Sequence, residues 1–320
     1  MTTRTSVVAL LLMGCTTTAT EPTVPAFLTS ASQADYTIVY IPDTQYYSET
    51  YPATFNAQVQ WIASHRDSLN IVFVSHLGDV VEHVPSGTEW QRASTSIAVL
   101  DAIGMPLGIA PGNHDLRSDW VGTAGSWKQF RLYFPASRYS ARSWWGGYYK
   151  ASTVSRASSY QKIVASGDSL LFLHLEFQAP DDVLAWARGV VQSHPNHQVL
   201  VSTHSYLEPS GLRDTGAKRR LNGNEGVDLW QELVRGEPNI RLVHSAHFCG
   251  EARAIATNDA GFPVHEILTD YQCLANGGDG WLRFYVVRPA LGIIDAYTYS
   301  PTRNEWDTDS ASQFTLSFTP

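Results

Sequence analysis

Five short stretches of this chain hold residue types that bind cations and move protons. They are Asp43-Thr44-Gln45, Gly78-Asp79-Val80-Val81-Glu82, Gly112-Asn113-His114-Asp115, the single His204, and His247 followed by Cys249. Carboxylate and amide oxygens, imidazoles and a thiol are the donors that divalent metals take, and together they are the set a two-metal site needs. Any one stretch alone says little, because a strand-end histidine is more often a hydrogen-bonded structural residue. The spacing says more. Asp79 lies 36 residues after Asp43, and Asn113 lies 34 residues after Asp79. Each gap is the length of one strand-helix-strand crossover.

The elements needed to gather these stretches are legible. Residues 35–45 (DYTIVYIPDTQ), 70–79 (NIVFVSHLGD) and 105–115 (MPLGIAPGNHD) are apolar, β-branched runs that end in polar residues, and they read as buried strands. Between the first two, Phe55, Val59 and Ile62 fall at helical spacing behind Pro52. Between the second and third, Trp90, Ala93, Ile97 and Leu100 form one stripe that ends at Gly104. The first third is therefore β-α-β-α-β, with parallel strands and right-handed crossovers. Ligands bind such sheets at the carboxyl ends of the strands, where the polar stretches lie. A loop-rich aromatic stretch (116–165) is followed by a second such unit: strand 169–176, helix 181–193 and strand 198–203, closed by His204. Helix 225–235 leads to strand 240–246. Antiparallel strands are expected at 251–257, 263–269, 281–288, 291–299 and 314–318. No repeat or internal boundary is visible, so residues 35–320 read as one α/β domain in two halves.

The chain has 320 residues, 43% of them apolar, enough to bury a sizeable core. Net charge is −8, and the basic run Lys218-Arg219-Arg220 reads as a solvated loop. A nucleic-acid binder needs a basic face to displace counterions, and none is evident. Oligomeric state is not indicated. Residues 1–15 carry Arg4 and then an apolar run, Val7–Met13, that is far too short to span a bilayer and fits a signal peptide. The run ends in Leu12-Met13-Gly14-Cys15, which resembles the lipobox of bacterial lipoproteins. That resemblance implies cleavage before Cys15, lipid on Cys15, and export to the cell membrane or outer membrane. Residues 16–34, rich in Thr, Ser and Pro, read as a tether.

The order of the five stretches resembles the calcineurin-like metallophosphoesterase superfamily, whose pattern is D-x-H, GDxx(D/E), GNH(D/E), a strand-end His, then GHxH. The match runs over residues 43–249. It is closest to exported bacterial members that begin Asp-Thr-Gln and carry a late YQ…NGGxGWLR segment, here DYQCLANGGDGWLRF (270–284). The resemblance implies an α/β/β/α sandwich, two mixed sheets face to face with helices outside. It implies metal-dependent hydrolysis of a small phosphate monoester or diester, with two divalent ions of Mn, Fe or Zn. Asp79 would bridge the ions, Asp43 and Gln45 would hold the first, and Asn113, His204 and His247 would complete the second. His114, oriented by Asp115, would donate a proton or steady the transition state, with Glu82 bonding behind. Cations about 3.5–4 Å apart can clamp a phosphoryl oxygen and lower the pKa of a bridging water.

Two positions depart from the pattern, both at the first metal. Gln45 stands where the family has His, and Ala246-His247-Phe248-Cys249 stands for G-H-x-H. If the segment is extended, His247 and Cys249 share a face while His244 points the other way and is structural. Cys249 then has three outcomes: a thiolate ligand favouring a softer metal such as Zn²⁺ or Fe²⁺, a disulfide with Cys273, or a small apolar residue. The alternative to an enzyme is a non-catalytic lipid-anchored binding protein whose first metal site has decayed. Trp144, Trp145, Tyr148 and Tyr149 read as loop packing before a stacking surface, and the run 276–280 (NGGDG) as a turn.

Overall fold

The computed structural model describes residue 32 and residues 34–116, 125–150 and 156–318. The leader, Cys15 and nearly all of the tether lie outside the described residues. Two seven-stranded sheets form the frame. The first is built on β1 (Tyr36–Ile41), β2 (Ile71–His76) and β3 (Leu107–Ile109), which pair in parallel as the crossover spacing predicts. β1 also pairs antiparallel with β11 (Leu282–Arg288), and beyond it lie β12 (Ile293–Ser300), β13 (Glu305–Asp307) and β14 (Phe314–Ser317).

The second sheet runs β4 (Trp145–Tyr148), β5 (Ser159–Ala165), β6 (Asp168–Leu175), β7 (Gln198–Thr203), β8 (Ile240–Ser245), β10 (Pro263–Asp270), β9 (Gly250–Thr257). Its centre, β6-β7-β8-β10, is parallel, and the flanks are antiparallel. β10 is thus parallel to β8, where an antiparallel tail was expected, and the tail strands divide between the two sheets. β4 and β5 fall inside the stretch read as loop.

The sheets pack face to face through Tyr36, Ile38, Phe73, Phe172, Leu200, Leu242 and Ile267. Phe73 and Phe172 stack across the interface with ring centroids 3.6 Å apart. Helices α1 (Gln45–Glu49), α2 (Pro52–His65) and α3 (Gly87–Ala102) lie on the first sheet's side, α2 and α3 burying Phe55, Val59, Ile62, Trp90, Ala93, Ile97 and Leu100. These are the residues whose spacing marked the two helices. A short helix, α4 (Lys128–Tyr133), packs Phe130 into the same layer. Helix α5 (Asp181–Gln192) and the turn α6 (Gly226–Leu229), which continues as a wider π-turn to Val234, cover the other sheet. The order of layers is therefore α/β/β/α. Among the described residues, no helix is long and apolar enough to cross a membrane.

Lys218 and Arg219 of the basic run are exposed, as a solvated loop requires, but Arg220 is not. It is 2% exposed and pairs with buried Glu176 at 3.0 Å, because a buried guanidinium requires a carboxylate.

Candidate metal centre

Each candidate residue leaves the carboxyl end of a parallel strand. Asp43 follows β1, Asp79 follows β2 and Asn113 follows β3; His204 follows β7 and His247 follows β8. The centre thus straddles the same edge of both sheets. The chain turns sharply to expose these side chains. Asp79 has φ 46° and His247 φ 73°, left-handed conformations that cost non-glycine residues energy and gather at functional sites. Gly78, at φ 110°, is required twice over: a Cβ there would stand 2.6 Å from both Ala110 O and His204 Nδ1.

Four donor atoms converge. His204 Nε2 lies 3.1 Å from Asp79 Oδ2, 3.0 Å from Asn113 Oδ1 and 3.2 Å from His247 Nδ1. The ring is set by its other nitrogen, which donates to Leu77 O at 3.0 Å, the usual device for holding a ligating imidazole in one tautomer. Asp79, His204 and His247 offer one ligand atom each within 4.8 Å of one another. Asp43 is 2% exposed, and both its oxygens lack a hydrogen-bond partner; its nearest imidazole, His204, is 3.8 Å away. Gln45, at the head of α1, is buried with Oε1 also unpartnered. Buried polar atoms are normally satisfied, and a carboxylate with only the loose approach of the His247 backbone and the His204 ring fits a cation. The donor set therefore fits a pair of divalent metals.

The electrostatics agree. Burial, then the charges of Asp270 and Asp79, hold the Asp43 carboxyl well above its ordinary range. Burial pushes Asp79 upward too, but His204, through charge and hydrogen bond, with His114 and His247 behind it, brings the carboxyl below its ordinary value. For His204, burial favours the neutral ring, yet Asp79 outweighs it and raises the pKa. Burial and then His204 lower His247 to about 3. Without a cation, His204 carries the positive charge that pairs with Asp79; a bound metal would take over that role and release a proton.

His114 is half-exposed, and its backbone N–H donates to Asp79 Oδ1 at 2.8 Å. Its Nδ1 lies 3.0 Å from Glu82 O and 3.2 Å from Glu82 Oε2. The orienting residue is thus Glu82 and not Asp115. Asp115 is fully buried and accepts from the N–H groups of Gly112, Val80 and Val81 at 2.8, 2.9 and 3.2 Å. Burial first, then the Asp79 charge, raises its carboxyl to about 7. Asp115 knits the second and third stretches together.

Cys249 is disulfide-bonded to Cys273, with Cα atoms 5.8 Å apart, so it has no thiolate to offer a metal. The extended geometry assumed for this segment is also corrected. β8 ends at Ser245, and the left-handed turn at His247, not strand alternation, separates His247 from Cys249. His244 is structural: it is fully buried, packs against Tyr40 with centroids 4.2 Å apart, and bonds Thr269 Oγ1 at 3.0 Å. The 276–280 turn has positive φ at all five residues and braces α1, because Gly280 N donates to Tyr47 Oη at 2.9 Å.

Asp270 was missed. It ends β10, is 1% exposed, and exerts the largest charge on Asp43. Burial raises its carboxyl to about 6. Its signal in the sequence is an acid at a strand end inside the DYQ run. A cleft of about 390 Å³ borders Asp270 and the disulfide, walled by Tyr271, Leu274 and Trp281.

The family model described as calcineurin-like phosphoesterase matches residues 36–251. The chain belongs to that family. It is 34% identical over 295 residues to the uncharacterized protein YvnB of Bacillus subtilis (strain 168); the match covers 88% of this chain but only 22% of that protein's length. Among solved structures, a dimetal phosphatase from Danio rerio aligns over 89% of this chain and 99% of its own, with TM-score 0.54 and 12% identity. The purple acid phosphatase PPD1 of yellow lupin aligns over 90% and 55%, with TM-score 0.57 and 13% identity. At those identities the likeness is one of fold.

Proposed function

We propose that the chain hydrolyses a phosphate ester, monoester or diester, at a dinuclear metal centre. The observation that carries this is the convergence of Asp79, Asn113, His204 and His247 beside an Asp43 carboxylate that is buried with no hydrogen-bond partner. Asp43 and Gln45 would hold one cation and Asn113, His204 and His247 the other, with Asp79 shared by both. Two divalent cations held there would supply Lewis acidity for the phosphoryl oxygens and an activated water. The chain does the rest. Leu77 O and Glu82 hold His204 and His114 in single orientations. With Nδ1 engaged by Glu82, Nε2 of His114 is the ring nitrogen left to serve a substrate. Water adds to phosphorus, the ester P–O bond breaks, and His114 supplies the proton to the departing oxygen.

The test is metal content together with hydrolysis of p-nitrophenyl phosphate and of its bis ester. Bound metal and turnover with Mn²⁺, Fe²⁺ or Zn²⁺ are expected. A chain that binds none of them and turns over neither ester is the non-catalytic binding protein instead. Lipid attachment at Cys15 and anchoring to a bacterial membrane belong to the same proposal. They are checked by mass spectrometry of the mature N-terminus and by the Cys15→Ala variant, expected to be released in soluble form.

A further inference from the structure

The second cation position draws its donors from both sheets. Asn113 follows β3 in the first, while His204 and His247 follow β7 and β8 in the second. The residues just past β6 tie those two sheet edges together. Phe177 donates its N–H to Pro111 O at 2.8 Å, two residues before Asn113. Its ring, 2% exposed, stands against both imidazoles, with centroids 6.0 Å from His204 and 5.7 Å from His247. Through ring and backbone, Phe177 thus bears on all three donors.

Phe177 is held in turn by the basic run. The chain leaves it through Gln178, which is left-handed at φ 44°. Gln178 Oε1 accepts from the N–H groups of Arg219 and Arg220 at 2.8 and 3.1 Å. Arg220 returns the contact. Its Nη1 donates to Phe177 O at 2.7 Å and its Nη2 to Glu176 Oε1 at 3.0 Å. The guanidinium also lies over the Trp127 ring, 5.3 Å from its centroid. Arg220 and Glu176 are 2% and 0% exposed. Burying such a pair costs desolvation that apolar packing of the same volume avoids. What this pair achieves is geometric: a planar fork spans a carboxylate and the Phe177 carbonyl, which the single ammonium of a lysine does not reproduce.

We propose that Arg220 is a positioning residue of the metal centre. Acting through Phe177, it fixes the rings of His204 and His247 and their offset from Asn113, and so sets the affinity and geometry of the second cation position. The inference rests on the dinuclear reading above. Residues that orient metal ligands from behind are typically worth 10–100-fold in metal affinity, and that is the size expected here.

The experiment loads full-length protein with Co²⁺, whose visible absorption reports ligand geometry, and measures affinity by titration against a chelator. Denaturation midpoints are recorded alongside. The wild type is expected to bind two Co²⁺. Arg220→Lys keeps a charge beside Glu176 but loses the fork on Phe177 O. It should weaken one of the two ions by about 10–100-fold and shift its absorption. Phe177→Leu should do the same, and the double variant should be little worse than either, since both act along one route. Val191→Ala, in the buried face of α5, should lower the midpoint and leave affinity and absorption unchanged. Arg220→Lys with wild-type affinity and absorption overturns the proposal, whatever its midpoint. Fully additive losses in the double variant, or an equal loss of affinity in Val191→Ala, overturn it too. If Arg220→Lys does not fold, Phe177→Leu decides, because it leaves the ion pair intact; no effect there overturns the proposal. A wild type that binds no metal overturns the phosphoesterase reading with it.

Discussion

At the scale of single residues, the centre divides into groups that hold metal and groups that work on substrate. Asp79 is in the first class: its Oδ2 faces His204 and its Oδ1 takes the N–H of His114. Asp79→Asn is therefore expected to abolish both metal binding and turnover. His114 is in the second class. His114→Ala should lower kcat by about 10²–10⁴-fold, the usual worth of a general acid, with metal content unchanged. Glu82→Gln should cost less, since the Glu82 carbonyl still holds Nδ1. Metal analysis alongside steady-state kinetics separates these three outcomes. Loss of metal in His114→Ala would move His114 into the binding class.

At the scale of elements, the loop that carries Asp79 is fastened to helix α3. Glu89, in the first turn, accepts from Glu82 N at 2.9 Å and His83 N at 2.8 Å, and Ser86 caps the helix by accepting from Glu89 N at 3.3 Å. Ser86→Ala should cost about 1 kcal/mol, as an N-cap loss does. Glu89→Ala should cost about 1–3 kcal/mol for the N–H groups left without a partner, and should also lower kcat, because the backbone of Glu82 that orients His114 loosens. Chemical denaturation gives the first quantity and kinetics the second. An unchanged kcat in a destabilised Glu89→Ala would separate the loop from the chemistry.

At the scale of the whole molecule, one covalent link and one inter-sheet contact bear on stability. The disulfide closes a loop of sequence separation 24, and opening it by Cys273→Ser should cost about 3 kcal/mol in the chain-entropy account. His174 lies in the inter-sheet layer, with Nε2 2.8 Å from Ser75 Oγ. Burial, then the neighbouring His76, lowers it from 6.5 to about 3. The native ring stays neutral where the unfolded one takes a proton, so its contribution is present above pH 6.5 and shrinks as pH falls toward 3. The slope is about 1.4 kcal/mol per pH unit. Asp115, raised to about 7, has the opposite sign, so the informative quantity is a difference. The stability deficit of His174→Gln relative to wild type should narrow as pH drops from about 6.5 to about 4.5, measured by denaturation midpoints at each pH. A constant deficit would show that His174 is not buried neutral.

The sequence alone determined which segments become the central strands and which residues stand at their ends. Apolar β-branched runs, crossover lengths and polar strand ends are local features, and Asp43, Asp79, Asn113, His204 and His247 were all found that way. The faces of α2 and α3 were legible for the same reason, since burial follows helical spacing. What only the tertiary structure decided were relations between distant residues. Glu82 and not Asp115 holds His114, because the αL turn at Asp79 sets where each carboxylate points. Cys249 meets Cys273, and β10 lies parallel to β8 instead of joining an antiparallel tail. That placement brings the Asp270–Gln272 segment to the turn that carries His247, and no local pattern encodes it. Strand order is set by how two sheets bury their faces against each other, which is a property of the packed molecule.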